Sequence, residues 1–420
     1  MVSLYDIQQK INNIALEMML EGVRVDSATI RALDNEVEMA MYERLAIIGK
    51  VLGRPVTETF PRSNKQIKEL FTTLGQRPGT NRKTGRDTFD DETLFKIANR
   101  TPPLRQVCFA IMEYRQLGQM LSTVIRAQQD EDGRMRCSFN TAGPETFRWS
   151  SSKNAFWRGC NLQNVSTGDR GLTGAKLPNL RTIFVPDEGC LMWEPDLAGA
   201  DAQVVAWEAD DPLLKQMFRE KVKIHAELAK DLYGAAAGPD GRKEPYYTYA
   251  KKLRHAFHYL SGPRTTANSI GIPEAEVAAK QKRLRQIHPA IPRWHAAVDN
   301  TLRTKRVITN RFGYRIICFK RPEDELPDML AWLGQGTVAH ILNRVIIGIH
   351  DNVPEAVLLL NEHDSLVGET LLTRWAAVKP QIREQFMRVV VPYPDPLIIP
   401  PDLKTSTRSW GHMEKEAWEQ

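Results

Sequence analysis

Two short stretches constrain this chain more than anything else in it. They are Asp196-Leu197-Ala198-Gly199-Ala200-Asp201-Ala202-Gln203 and, from Asp196 to Asp364 a separation of 168 residues, Leu360-Asn361-Glu362-His363-Asp364-Ser365. Each sets an Asp just after an apolar run, Cys190-Leu191-Met192-Trp193 before the first and Val357-Leu358-Leu359-Leu360 before the second. A carboxylate so placed ends or turns a buried strand and projects into a cleft. Two of them brought together form a site for a hard divalent cation, because Mg²⁺ prefers oxygen ligands and takes few from protein. An Asp after an apolar strand also serves as a plain turn residue or helix cap, so what lies between the stretches decides the reading.

The 420 residues suffice for two or three lobes with cores of their own. A composition 42% hydrophobic and 26% charged is that of a soluble globular protein. No apolar run approaches the roughly 20 residues of a membrane helix. The opening Met1-Val2-Ser3-Leu4-Tyr5-Asp6 lacks a basic-then-apolar signal, so a cytoplasmic location is expected. Cys108, Cys137, Cys160, Cys190 and Cys318 form no close pair and read as reduced, partly buried thiols. The net charge of +6 hides an asymmetry: from Asp240 to Arg321 there are 18 Lys and Arg against five acids, a local +13 that leaves −7 elsewhere. A basic segment beside an acidic, metal-capable remainder suits a polyanion held near a cation, although charge density alone equally describes a solvated helical face.

Apolar spacing predicts a helix over residues 3–22 stopped by Gly22, a second from its cap Asp26 to near Gly53, and a short one from a capping box at Ser63 to Gly75. Residues Gly79 to Asp87 read as a mobile polar loop, and a long helix follows Pro103. Met135 to Phe139 is expected as a strand, and the dense polar side chains of 146–152 and 161–164 as a binding loop. Residues 180–206 read as strand, turn, strand and the start of a helix, and 212–310 as largely helical. Strands are expected to return over Val307–Cys318, followed by a helix from about Ala331 to Ile349. The proline-rich stretch Pro392–Pro401 is expected to end the regular structure.

In Tyr247-Thr248-Tyr249-Ala250-Lys251-Lys252-Leu253-Arg254-His255-Ala256-Phe257-His258-Tyr259, a spacing of four stacks Lys251, His255 and Tyr259 on one helix face. A cation, an imidazole and a phenol so aligned can touch the phosphate, sugar and base of one nucleotide; a helix with a merely mixed exposed face would look the same. The order of these blocks resembles the polymerase region of the family A DNA polymerases, the bacterial DNA polymerase I and phage replicative group. The first catalytic motif is matched by Asp196-Leu197 through Asp201 to Gln203-Val204-Val205-Ala206. The fingers-helix motif is matched by Lys251, His255 and Tyr259 with Gly271-Ile272-Pro273 following, and the third motif by His363-Asp364-Ser365. Gln335-Gly336-Thr337 resembles a Gln-Gly-Thr helix start, Arg148-Trp149-Ser150-Ser151 and Asn161-Leu162-Gln163-Asn164 a primer–template loop, and Ile224-His225-Ala226-Glu227 a nucleotide-contacting segment. The likeness spans roughly residues 130–415.

What the resemblance implies is an α+β right-hand architecture with an antiparallel-sheet palm, helical fingers and helical thumb. Residues 1–128 would form the helical N-terminal or thumb region, 129–211 the first palm part with the primer–template loop, 212–306 the fingers and 307–420 the second palm part. The activity implied is template-directed addition of dNTPs to a primer 3′-hydroxyl by two-metal phosphoryl transfer. Asp196 and Asp364, with Leu197, would hold two Mg²⁺ ions, Mn²⁺ being the alternative. Lys251 would be catalytic, pairing with the triphosphate beside His225; Leu197, Asp201, His255 and Tyr259 would complete the nucleotide site. Arg148, Asn161, Gln163, Gln335 and His363 would contact primer and template from the minor-groove side. If phage-encoded, the protein would work in the host cytoplasm, away from any membrane.

The pattern also departs from the family. Asp201 stands for a sugar-gating Glu, Gln203 for an Arg, His255 for an aromatic, Tyr247 for an Arg whose role would fall to Lys252 or Arg254, and Ser365 for a Glu. The first 128 residues are too few for a proofreading exonuclease and carry no clustered acids, so proofreading is expected from a separate polypeptide if at all, and a processivity protein is a further expected partner. Alternatives are a ribonucleotide-tolerant or primase-like polymerase and a catalytically silent scaffold that binds primer–template junctions.

Overall fold

The structure, a computed structural model, describes residues 3–81, 84–168 and 173–419. Helix α1 (Leu4–Glu21) opens on a reciprocal cap, the Ser3 hydroxyl accepting from the Asp6 N–H while the Asp6 carboxylate accepts from the Ser3 N–H, and it ends at Gly22. The two-residue strand β1 (Val23–Arg24) precedes α2 (Ser27–Leu52), capped by Asp26 and closed by Gly53. Helix α3 (Asn64–Thr73) starts on the Ser63 hydroxyl. The segment expected as a mobile loop instead pairs β2 (Gly79–Thr80) with β3 (Asp87–Thr88), with residues 82 and 83 of that segment outside the described residues. Then come α4 (Asp91–Arg100) and α5 (Arg105–Met120), which runs on through a π-turn to Ile125. Phe71, Phe89, Ile97 and Ile111 build a separate core among these helices, whereas Ile11, Ile14 and Met18 of α1 join the main core.

The single strand expected at Met135–Phe139 is split in two: β4 (Arg134–Met135) pairs with β1, and β5 (Ser138–Asn140) pairs with β6 (Ser150–Ser152). The strand expected near residue 180 is a 3₁₀ turn, Leu180–Ile183, leading to β7 (Cys190–Leu197). Seven helices follow: α6 (Ala200–Glu208), α7 (Pro212–Arg219), α8 (Ile224–Tyr233), α9 (Tyr246–His258), α10 (Pro263–Ile270), α11 (Glu274–Ile287) and α12 (Ala290–Lys305). The hairpin β8 (Val307–Thr309) and β9 (Arg315–Ile317) precedes α13 (Pro322–Asn352). That helix begins well before Ala331, because Pro322 at its first position and Glu323, Asp324 and Glu325 in its first turn favour a helix start there. Gln335-Gly336-Thr337, expected at a helix start, therefore lies mid-helix.

The hairpin β10 (Val357–Glu362) and β11 (Ser365–Leu371), then α14 (Trp375–Met387), lead to β12 (Pro401–Ser406) and β13 (Glu414–Lys415). These close an antiparallel sheet of order β10-β11-β7-β12-β13. The proline-rich stretch thus does not end the regular structure: Pro401 opens a strand, where its missing N–H is tolerated, and β12 pairs with β7. Gly368 of β11 lies opposite Trp193 of β7, and a Cβ there would fall 2.1 Å from the indole. The architecture is α+β, with the sheet against the long, mostly buried α13. All five cysteines are free thiols, Cys190 half-buried and the others buried. No helix among the described residues is long and apolar enough to cross a membrane.

Candidate active site

Across β7 and β11, Ser365 is the register partner of Asp196, and the Leu197 N–H donates to the Asp364 carbonyl at 2.9 Å. The two Asp therefore share one end of neighbouring strands. Asp364 sits in the two-residue turn between β10 and β11, its N–H donating to the Glu362 carbonyl at 2.7 Å, while His363 takes φ 63°. Two-residue hairpins favour Gly where φ is positive, so His363 occupies a strained position of the kind that gathers at functional sites. Behind the turn Arg181 pairs with Glu362 at 2.5 Å and lies 3.9 Å from the Trp410 ring. Burial nonetheless pushes the Glu362 carboxyl up to about 7.

Asp402 of β12 faces Asp196 from the other side of β7, and Glu194 shares its face through the strand's period of two. Burial raises the Asp196 carboxyl to about 7, Asp364 adds to the rise, and Lys404 opposes it while Glu194 and Asp402 reinforce it. A pocket with this surplus of carboxylate over the one opposing Lys404 would suit a divalent ion between Asp196 and Asp364. Among the described residues no three His, Cys, Asp or Glu side chains converge into a complete cage. Two carboxylates leave positions for phosphate oxygens and water, as Mg²⁺ sites do. The Leu197 side chain is buried, so any part it plays in the cleft belongs to its backbone.

Gly199, at φ 60°, turns β7 into α6, and the Gln203 amide donates to the Ala198 carbonyl at 2.7 Å, so Gln203 secures this turn. Asp201 in the first turn of α6 accepts a hydrogen bond from the Tyr259 hydroxyl. Burial raises the Asp201 pKa against the pull of Tyr259, His255 and Arg148. Helix α9 stops at His258, which makes Tyr259 its C-cap rather than a member of the helix; its ring still packs 5.0 Å from that of His255.

A cleft of about 820 Å³ joins these parts, with Asp196, Asp201 and Asp364 on one side and His225, Lys251 and His255 on the other. His225 sits in the first turn of α8; burial, then Arg254 and Lys251, press its pKa down to about 4. The two residues expected to stand in for the missing Arg both line this cleft, and each also makes bonds of its own. The buried Arg254 donates to the Ile224 carbonyl at 3.2 Å and lies 3.4 Å from His288, which meets Asp211 at 3.3 Å; Lys252 donates to the Ser269 carbonyl at 3.2 Å.

The expected primer–template residues flank this cleft unequally. Half-buried Arg148 precedes Trp149, whose indole donates to Asn343 of α13 at 2.9 Å. The Asn161 side-chain oxygen accepts from the Ser151 hydroxyl and, at 3.1 Å, from the Gln163 N–H. Gln163 itself is buried and its amide donates to the Asn361 carbonyl at 2.8 Å, so it braces the β10 end instead of facing outward. Gln335 is half-buried beside Gly334, where a Cβ would fall 2.3 Å from the Tyr259 hydroxyl. For His363, burial and Arg148 lower the pKa against Asp364. Sequence reasoning missed Glu194, Asp402, Lys404 and Arg181; only Glu194 carried a signal, two residues before Asp196 in a strand.

An antiparallel sheet bearing paired Asp across a cleft from a basic helix is the right-hand polymerase architecture. The structure is similar to the POL domain of Pol1 from M. smegmatis, solved in complex with DNA primer-template and dNTP, at a TM-score of 0.78 and 20% identity, over 96% of this chain and 70% of that one. The model of DNA polymerase family A matches residues 28–407, and the chain belongs to that family. It is similar to the thermostable DNA polymerase I of Thermus filiformis, 26% identical over 98% of this chain and 48% of that protein, and to that of Thermus aquaticus, 27% identical over 93% and 46%. The DNA polymerase I of Bacillus caldotenax is 24% identical over 93% and 44%. The chain thus spans about half the length of the curated relatives it matches.

Proposed function

We propose that this chain is a template-directed DNA polymerase that adds dNTPs to a primer 3′-hydroxyl. The observation that carries the reading is the shared cleft, in which Asp196 and Asp364 face Lys251, His255 and His225. Asp196, Asp364 and the Leu197 backbone would hold the divalent cations, Mg²⁺ first and Mn²⁺ as the alternative; when bound, such a pair activates the hydroxyl and neutralises the pyrophosphate leaving group. The chain's own groups supply orientation. Lys251, exposed into the cleft, would pair with triphosphate oxygens beside neutral His225. Tyr259 would pack against the nascent pair and hold Asp201 beneath the sugar. His363, Arg148, Asn161 and Gln335 would meet primer and template, and Gln163 would support them from behind.

In this reading residues 1–128 are the thumb region, 212–306 the fingers, and 129–211 with 307–420 the palm; proofreading falls outside these residues. The deciding assay is extension of a labelled primer on a DNA template with four dNTPs and Mg²⁺, wild type beside Asp364→Ala. Growth by the wild type alone supports the reading, and degradation of a mismatched 3′ end would refute the proofreading clause. Two observations favour a silent junction-binding scaffold: Ser365 is buried 3.4 Å from Glu194, and Gln203 is spent on its turn, so both departures from the family have structural tasks. Tight junction binding with no extension would decide for it. Asp201, one methylene shorter than Glu, favours ribonucleotide tolerance, read by comparing rNTP with dNTP extension.

A further inference from the structure

Phe156 and Trp157 are adjacent, and each is 82% exposed. Of the nine tryptophans the other eight are buried or half-buried. A bare aromatic pair of this kind marks a contact surface. The loop that carries it is tightly held. The Asn154 side-chain oxygen accepts from the N–H groups of Phe156 and Arg158, both at 3.0 Å, and its backbone exchanges bonds of 3.0 Å with Trp157 and Arg158. Trp157 takes φ 64°, a costly conformation for a bulky side chain that no packing around the ring requires. Gly159 anchors the exit: its N–H donates to Gln128 at 2.8 Å, and a Cβ there would fall 1.7 Å from the Arg136 carbonyl.

The roots of the loop are Ser151 and Asn161, joined by a hydrogen bond and belonging to the segments assigned above to the primer–template. Between Ser150 and Cys160 the chain carries Lys153 and Arg158 and no acid. Lys153 is exposed, while Arg158 lies 3.6 Å from Asp130. Aromatic faces beside cations match a DNA strand, bases or sugars packing on the rings and phosphates meeting the ammonium. We infer that the Phe156–Trp157 loop is a preorganised stacking platform that grips the DNA beside the cleft; this rests on the polymerase reading for its substrate.

Trp157 offers its own reporter, since it is the one exposed indole of the nine. Iodide quenching of the wild-type protein, with and without a saturating primer–template, should show DNA shielding this emission, and Trp157→Phe should abolish the shielded component. Phe156→Ala with Trp157→Ala should weaken primer–template binding at least about tenfold, the scale of one lost stacking contact, with an unchanged thermal midpoint. Unaltered quenching on DNA addition, or wild-type affinity in the double variant, would overturn the inference and leave a protein partner as the occupant. Shielding without primer extension would retain the platform and remove the polymerase reading; extension without shielding would do the reverse.

Discussion

The bond from Tyr259 to Asp201 is the most exacting place to perturb this site. Tyr259 is 7% exposed, its ring is fixed by His255, and its hydroxyl lies against Gly334, so Tyr259→Phe removes one oxygen without freeing the ring. What remains is a carboxylate that burial already disfavours, now without its donor. Hydrogen bonds to charged groups contribute about 1.5–3 kcal/mol, which sets the expected loss for Tyr259→Phe. Asp201→Ala breaks the same bond from the other end, so the double variant loses it only once. The four proteins unfolded in urea should give a coupling of about 1.5–3 kcal/mol. Additivity within roughly 0.5 kcal/mol would refute the reasoning. The functional arm follows from the same number: an anchor of that size holds Asp201 in one position by at least about tenfold. Tyr259→Phe should therefore lower dNTP over rNTP selection by about that factor, while Asp201→Glu should sharpen it.

Three other measurements test neighbouring parts of the argument. Gly368→Ala drives a Cβ into the Trp193 ring and should cost about 1–3 kcal/mol, read as a lower urea midpoint at constant slope. Glu369 is buried with its carboxyl raised to about 7, above its unfolded value, so the wild type keeps its full stability below about pH 4.5 and loses it as pH rises toward 7. Glu369→Gln should then add about 3 kcal/mol at pH 8 and almost nothing at pH 4.5; an equal gain at both would refute the assignment. Mg²⁺ or Mn²⁺ should raise the thermal midpoint of the wild type and leave that of Asp364→Ala unmoved, because a ligand stabilises only a fold that binds it.

Elements that carry their own start and stop signals were legible. Ser3 and Gly22 bound α1, and Asp26 and Gly53 bound α2, because caps act on the nearest turn. Elements made by distant partners were not. The stretch Gly79 to Asp87 is polar, yet it pairs with itself; Pro401–Ser406 follows prolines, yet β7 supplies its hydrogen bonds. In the site, Asp196 and Asp364 were visible because each closes an apolar strand, and Lys251 and His255 because four residues separate them on a helix. The fate of Gln163 was invisible, since its burial depends on the β10 end docking above it, and so was Asp402, whose strand was itself unforeseen.

Arg254 shows why the basic wall of the cleft is more than a collection of surface charges. Its neighbour Lys251 stands in the cleft, yet three residues further on the same helix turns a guanidinium inward, where burial lowers its pKa to about 10 against the pull of Asp211. Such a burial is costly where donors go unmet. Two of the three nitrogens find partners, one on the Ile224 carbonyl at the start of α8 and one on His288 at the end of α11, which in turn meets the Asp211 cap of α7, while Nε has no hydrogen-bond partner among the described residues. The residue after Ile224 is His225. One side chain thus ties Lys251 and His255 on α9 to the helix that presents His225, and fixes the spacing of all three across from Asp196 and Asp364. The Arg254 charge is thereby spent on holding the wall in place, whereas Lys252 stays exposed along the cleft beside Lys251.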